Sequence, residues 1–133
     1  MTAPLQILLI DDDDDDREIF FEIVGEAFEH SVCTFANGGQ QALTKVNRDP
    51  SFVPDFIFLD INMPVMNGME CLAELKKIPH LWRVPVYMYS TSAQPKMVAE
   101  CRKLGAAGFV IKEPDLTILK EELKKIILTD HSE

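Results

Sequence analysis

The residues in this chain best suited to chemistry are carboxylates, hydroxyls and one lysine, each placed directly after a short apolar run. Asp11–Asp16 follow Ile7–Ile10 (ILLI), and Asp60 follows Phe56–Leu59 (FIFL) within FLDINMPVMNG. Ser90, Thr91 and Ser92 follow Val86–Tyr89 (VYMY), and Lys112 follows Phe109–Ile111 (FVI). A run of like charge normally belongs to a disordered tail, because the charges repel and hydrate strongly. A run that abuts an apolar core segment needs another explanation. Asp11, Asp12 and Asp60, if gathered, would repel and raise one another's pKa values unless a cation sat among them. Oxygen ligands with open positions suit Mg²⁺, which keeps waters and takes one or two carboxylates plus a phosphoryl oxygen. Lys112 is then the natural counter-charge for a second anion, such as a phosphoryl group.

What gathers them is the order of elements. Those four apolar runs, with Val32–Phe35 (VCTF) as a fifth, are unbroken by polar alternation, as in parallel strands covered on both faces. Helical spacing fills the intervals: Ile19, Phe20, Ile23, Val24 and Ala27; more weakly Gln40–Val46; Leu72, Leu75 and Ile78; Val98, Cys101 and Leu104; and Leu116, Leu119, Leu123 and Ile126/Ile127. Gly105 is placed to cap the fourth helix. Five strands alternating with five helices predict an α/β fold, a three-layer, doubly wound (βα)5 domain with right-handed crossovers. In such sheets ligands sit at the carboxyl ends of the strands. Asp11, Asp12, Asp60, Ser90–Ser92 and Lys112 all stand at such ends.

The totals set limits. At 133 residues, the chain fits a single domain spanning 1–133. It is 47% apolar and 26% charged, the balance of a globular domain with a core. A net charge of -9 repels nucleic acid and anionic membranes and favours a basic partner or a cation. Cys33, Cys71 and Cys101 lack metal-ligand spacing and cannot all pair, which suits a reducing cytoplasmic setting. No apolar run reaches the roughly 18–20 residues of a membrane span, and MTAPLQ does not open a signal peptide.

LLIDD, FLDINMPVMNG, VPVYMYSTS and GAAGFVIK, taken in order, resemble the receiver domain of two-component response regulators, over Ile7 to about Ile127. The resemblance implies a flavodoxin-like, five-stranded parallel sheet of order 2-1-3-4-5. It implies that Asp60 is the phospho-acceptor, attacking a phosphohistidine of a sensor histidine kinase or phosphotransfer protein. Asp12 would bind Mg²⁺ directly, with Asp11 close by and the Asn62 carbonyl and Asp60 as further ligands. Lys112 and the metal would neutralise the phosphoryl oxygens. Ser90 would donate its hydroxyl, and Phe109 stands where the family has an aromatic switch. The chain ends soon after the fifth helix. A stand-alone, chemotaxis-regulator-like protein is therefore expected, a signalling module and not a metabolic enzyme. It would act through a downstream protein at the helix 4–strand 5–helix 5 face, or by onward relay, with a homodimer through the last helices allowed.

Several residues also have plainer readings. Asp13–Asp16 suit a helix start, with acids favoured by the dipole and Asp16 or a neighbour as N-cap. Thr91 and Ser92 read as loop, Phe109 equally as core, and His30, His80 and His131 as surface. Pro79, Trp82 and Pro85 read as a loop before strand four. One departure from the family pattern stands out. Glu113 separates Lys112 from Pro114, where the family places proline directly after the lysine, with a cis bond. A cis bond before a non-proline costs about 3 kcal/mol, so either this peptide is trans and the loop is reshaped, or the site is strained.

Other functions fit less well. A haloacid-dehalogenase-type phosphatase needs an acid two residues after its nucleophile, where this chain has Asn62. A flavodoxin-like flavin binder needs a phosphate loop where the aspartates stand. A degenerate receiver, binding a partner without phosphorylation, would lack acceptor-site residues that are all present.

Overall fold

The computed structural model describes residues 4–131. Strands β1 (Leu5–Ile10), β2 (Ser31–Ala36), β3 (Phe56–Asp60), β4 (Val86–Ser90) and β5 (Gly108–Ile111) alternate with helices α1 (Asp14–Ala27), α2 (Gly39–Arg48), α3 (Gly68–Leu75), α4 (Pro95–Lys103) and α5 (Leu116–His131). The strands form one parallel sheet of order β2-β1-β3-β4-β5, as expected.

Alternation along each strand divides the core between two faces. Ile7, Leu9, Phe56, Phe58, Tyr87, Tyr89 and Val110 point to the side covered by α1 and α5, where they meet Phe20, Val24, Leu119, Leu123 and Ile127. Leu8, Ile10, Ile57, Leu59, Val86 and Met88 point to the other side, against Ala42, Val46, Leu72, Leu75 and Cys101. The first face is aromatic: Phe20 lies 5.2 Å from Phe58 and 5.7 Å from Tyr89, between ring centres. Aromatic pairs at these distances add to the burial that holds α1 on the sheet.

The edges differ from the sequence expectation. β2 is not covered on both faces: Val32 and Phe35 are 48% and 41% exposed, because an edge strand lies beyond the reach of the flanking helices. Ile78 and Leu104 fall just outside α3 and α4. The cap of α1 is Asp13, whose carboxylate accepts the Asp16 N–H at 3.0 Å. Gly105 follows the last residue of the α4 cap with φ +109°, a conformation that favours glycine. Pro79 opens a short 3-10 turn, Pro79–Leu81, before β4. His80 is half-buried with Nε2 enclosed, so it is not a plain surface residue. The His131 side chain lies outside the described residues. No helix among the described residues is long and apolar enough to cross a membrane.

Candidate functional site

The sheet register brings the acidic strand ends level. Ile10 pairs with Leu59, so Asp11 and Asp60 follow side by side, while Asp60 pairs with Tyr89 and Ser90 with Ile111. Carboxylate oxygens of Asp11, Asp12 and Asp60 all lie within 4.8 Å of one another. They sit at the head of a cleft of about 330 Å³ lined by Asp12, Asp13, Asp16, Asp60, Asn62, Thr91 and Lys112.

Asp11 is fully buried and tightly held. Its Oδ1 accepts the Asp13 N–H at 2.9 Å and its Oδ2 accepts from the Lys112 ammonium at 3.0 Å. Its N–H donates to the Ala36 carbonyl, and its own carbonyl accepts from Arg17 Nη1 at 2.8 Å. Arg17 also donates to Asn37 and pairs with Asp14, and its guanidinium lies 4.4 Å from the centre of the Phe35 ring. One side chain therefore ties the end of β1 to α1 and to the end of β2. Asp12 is half-buried and faces the cleft.

Asp60 is 4% exposed. Its Oδ1 accepts the Asn62 N–H at 3.2 Å and lies 3.5 Å from Lys112 Nζ. The chain then turns sharply. Gly68 N–H donates to the Ile61 carbonyl at 2.8 Å, and Asn67 caps α3 in a reciprocal pair with Glu70. Val65 stands 97% exposed at φ 67° in this loop.

Lys112 leaves β5 with its N–H on the Ser90 carbonyl at 2.7 Å. Its ammonium lies 2.8 Å from Asp16 Oδ2, 3.0 Å from Asp11 Oδ2 and 5.0 Å from the centre of the Tyr89 ring. No peptide among the described residues is cis, so the Lys112–Glu113 bond is trans.

Burial, reinforced by the charge of Asp11, pushes the Asp60 carboxyl up to about 7, against the pull of Lys112. Burial also raises Asp11, opposed by the Asp13 N–H and Lys112. Burial alone would lower the Lys112 pKa, but the Asp16 hydrogen bond and the charges of Asp11 and Asp60 outweigh it and raise the ammonium. The cluster thus holds more negative charge than one lysine offsets. Three hard oxygen donors within a few ångströms suit a divalent cation.

Asp11, Asp12, Asp60, Asn62 and Lys112 therefore converge. Ser90 is nearly fully buried beneath them, its Oγ accepting the Ser92 N–H at 3.4 Å. Thr91, in the loop after β4 as the sequence suggests, lines the cleft. Phe109 is away from the cleft, half-buried beside the α2–α4 core and bordering a shallow hollow with Ile111, Glu113, Ile118 and Glu122. Asp16 was missed. With Asp13 as cap, Asp16 takes the third helical position, where side chains lean back toward the helix start. That geometry aims it at the strand ends, and placing the cap correctly would have revealed it.

The family model for the response regulator receiver domain matches residues 7–124. The chain is 34% identical over 131 residues to a protein-glutamate methylesterase/protein-glutamine glutaminase of Treponema denticola, covering 93% of this chain but only 34% of that protein. It thus spans about a third of the length of such relatives. It is 30% identical to the chemotaxis protein CheY of Thermotoga maritima, covering 91% of this chain and 96% of that one. In structure it resembles the phosphorylated cyanobacterial phytochrome response regulator RcpA, with a TM-score of 0.86, 27% identity and coverage of 98% and 96%. The fold, the matched residues and the acidic strand ends agree: this chain belongs to the response regulator receiver domain family.

Proposed function

We propose that the domain accepts a phosphoryl group on Asp60 from a phosphohistidine of a sensor kinase or phosphotransfer protein, and signals through a protein that reads the phosphorylated state. The observation that carries this reading is the position of Asp60. It is a buried carboxylate 3.5 Å from a lysine and clustered with Asp11 and Asp12 at the ligand-binding edge of the sheet. The likeness to a phosphorylated phytochrome response regulator supports it.

An Asp60 oxygen attacks phosphorus, forming a P–O bond as the bond to the donor's imidazole nitrogen breaks. The electron pair stays on that nitrogen, which takes a proton, and an aspartyl phosphate results. Asp12, Asp60 and the Asn62 carbonyl would hold Mg²⁺, with Asp11 behind them kept in place by the Asp13 N–H and Lys112. When bound, the ion offsets charge on the carboxylates and the transferring oxygens. Lys112 directs its ammonium at the same oxygens, and Thr91 offers a hydroxyl from the cleft wall, with Ser90 as the buried alternative.

Phe109 and the α4–β5–α5 face would read the change. α4 is held by a single fully buried side chain, Cys101, and Ile111 and Ile118 are exposed beside Phe109. Such a loosely seated element suits a shift between two pre-existing conformers.

Intact mass after incubation with acetyl phosphate and Mg²⁺ tests the reading. A labile gain of about 80 Da, one phosphoryl group, is expected in the wild type and absent in Asp60→Asn and without Mg²⁺. No gain together with no Mg²⁺ binding would sink the reading.

A further inference from the structure

Asp16 makes the shortest of the three carboxylate contacts of the Lys112 ammonium, yet nothing in the transfer scheme uses it. The ion pair is 2.8 Å long, against 3.0 Å to Asp11 and 3.5 Å to Asp60. The Lys112 side chain is only 11% exposed there. The other aspartates of the run are otherwise engaged: Asp13 caps α1, Asp14 pairs with Arg17, and Asp15 is exposed.

A lysine stem is long and flexible, so the partners of the ammonium decide where it rests. The ammonium has three N–H donors. Asp16 and Asp11 take two at hydrogen-bond distance. Asp60 Oδ1 stands 3.5 Å away, beyond a good hydrogen bond. Asp16 thus pulls the ammonium toward α1, away from the carboxylate it would otherwise neutralise.

We propose that Asp16 is a positioning residue. It moors the Lys112 ammonium to the first turn of α1, near Asp60 but kept from closing onto it. Without the mooring, the ammonium settles on Asp60 and occupies the oxygen that must attack. The kinetic part of this inference rests on the reading of Asp60 as acceptor; the geometric part does not.

The test compares the full chain with Asp16→Asn, Asp16→Glu and Asp15→Asn, the last removing the same charge from the same helical turn without touching the lysine. The first readout is the ¹H–¹⁵N signal of the Lys112 ammonium, assigned by its loss in Lys112→Arg. It is expected to shift or vanish in Asp16→Asn and stay put in Asp15→Asn. An unmoved signal in Asp16→Asn overturns the mooring. The second readout is phosphoryl uptake from acetyl phosphate at saturating Mg²⁺. Asp16→Asn is expected to slow it about tenfold, in line with the loss of one positioning contact, and Asp16→Glu to recover most of the rate. Asp15→Asn is expected to stay within about twofold of wild type, because an exposed charge is screened. Equal rates in Asp16→Asn and Asp15→Asn would overturn the kinetic role. Weakened Mg²⁺ binding with an unchanged saturated rate would instead make Asp16 a metal ligand. If the wild type takes no phosphoryl group while the ammonium signal moves only in Asp16→Asn, the mooring stands and the acceptor reading falls.

Discussion

Gly68 is packed directly against the backbone of Asp60. A Cβ at position 68 would meet the Asp60 carbonyl oxygen and come within 2.7 Å of the Ile61 Cα. Backbone cannot yield as a flexible side chain would, so Gly68→Ala is expected to push the loop after β3 outward. Stability should fall by about 1–3 kcal/mol and Mg²⁺ binding should weaken, measured by denaturant unfolding and calorimetry. Gly25, within α1 and with nothing within 4 Å of its Cβ position, is the contrast. Gly25→Ala is expected to stabilise the protein by about 0.5–1 kcal/mol.

The same loop stores strain at Val65, a β-branched residue at φ 67° with its side chain 97% exposed. It gives up little burial there and holds a conformation that glycine adopts freely. Val65→Gly is expected to raise stability by about 1 kcal/mol, read as a higher midpoint in urea. An unchanged or lower midpoint would show that the greater unfolded-state entropy of glycine offsets the relieved strain.

Arg17 is expected to matter more than its surface ion pair suggests. The pair with Asp14 joins a partner 88% exposed and is worth little. The N–H to the buried Asp11 carbonyl and the stacking over Phe35 are the larger contributions. Arg17→Met should cost about 1–3 kcal/mol and loosen Asp11, weakening Mg²⁺ binding. Asp14→Asn should change stability by less than about 0.5 kcal/mol.

The carboxylate pair also fixes a pH dependence. Asp60 binds its proton more tightly in the folded protein than in the unfolded chain, with a pKa moved from 3.8 to about 7, and Asp11 moves in the same direction. The folded state therefore holds more protons in that window, and metal-free stability falls as pH rises through it. Lys112 titrates above its ordinary 10.5 and plays no part in this window. Mg²⁺ competes with those protons. Its stabilising effect on thermal unfolding should be small near pH 5 and large near pH 8, and Asp60→Asn should raise metal-free stability at pH 8.

Much of this was legible in the sequence because a parallel sheet writes its strands as unbroken apolar runs, so the residue after each run marks the ligand edge. Asp11, Asp12, Asp60 and Lys112 could be gathered on that rule alone. Asp16 could not, since six identical residues offer no contrast from which to place a helix start. VCTF reads the same at an edge as in the middle of a sheet, so the exposure of β2 follows only from the strand order 2-1-3-4-5 that the resemblance implies. Thr91 and Ser90 are adjacent and chemically alike, and the sequence does not show that Thr91 lines the cleft while Ser90 is buried. Glu113 could be identified as a departure, but the trans bond before it needed the loop itself.

The most direct test of the central claim is to find where the phosphoryl group goes. Protein treated with acetyl phosphate and Mg²⁺ is reduced with borohydride, which converts an aspartyl phosphate to homoserine, and its peptides are then sequenced by mass. The account predicts homoserine at position 60 and at none of the aspartates Asp11–Asp16. Homoserine at Asp12 or another of that run, with Asp60 unmodified, would contradict it.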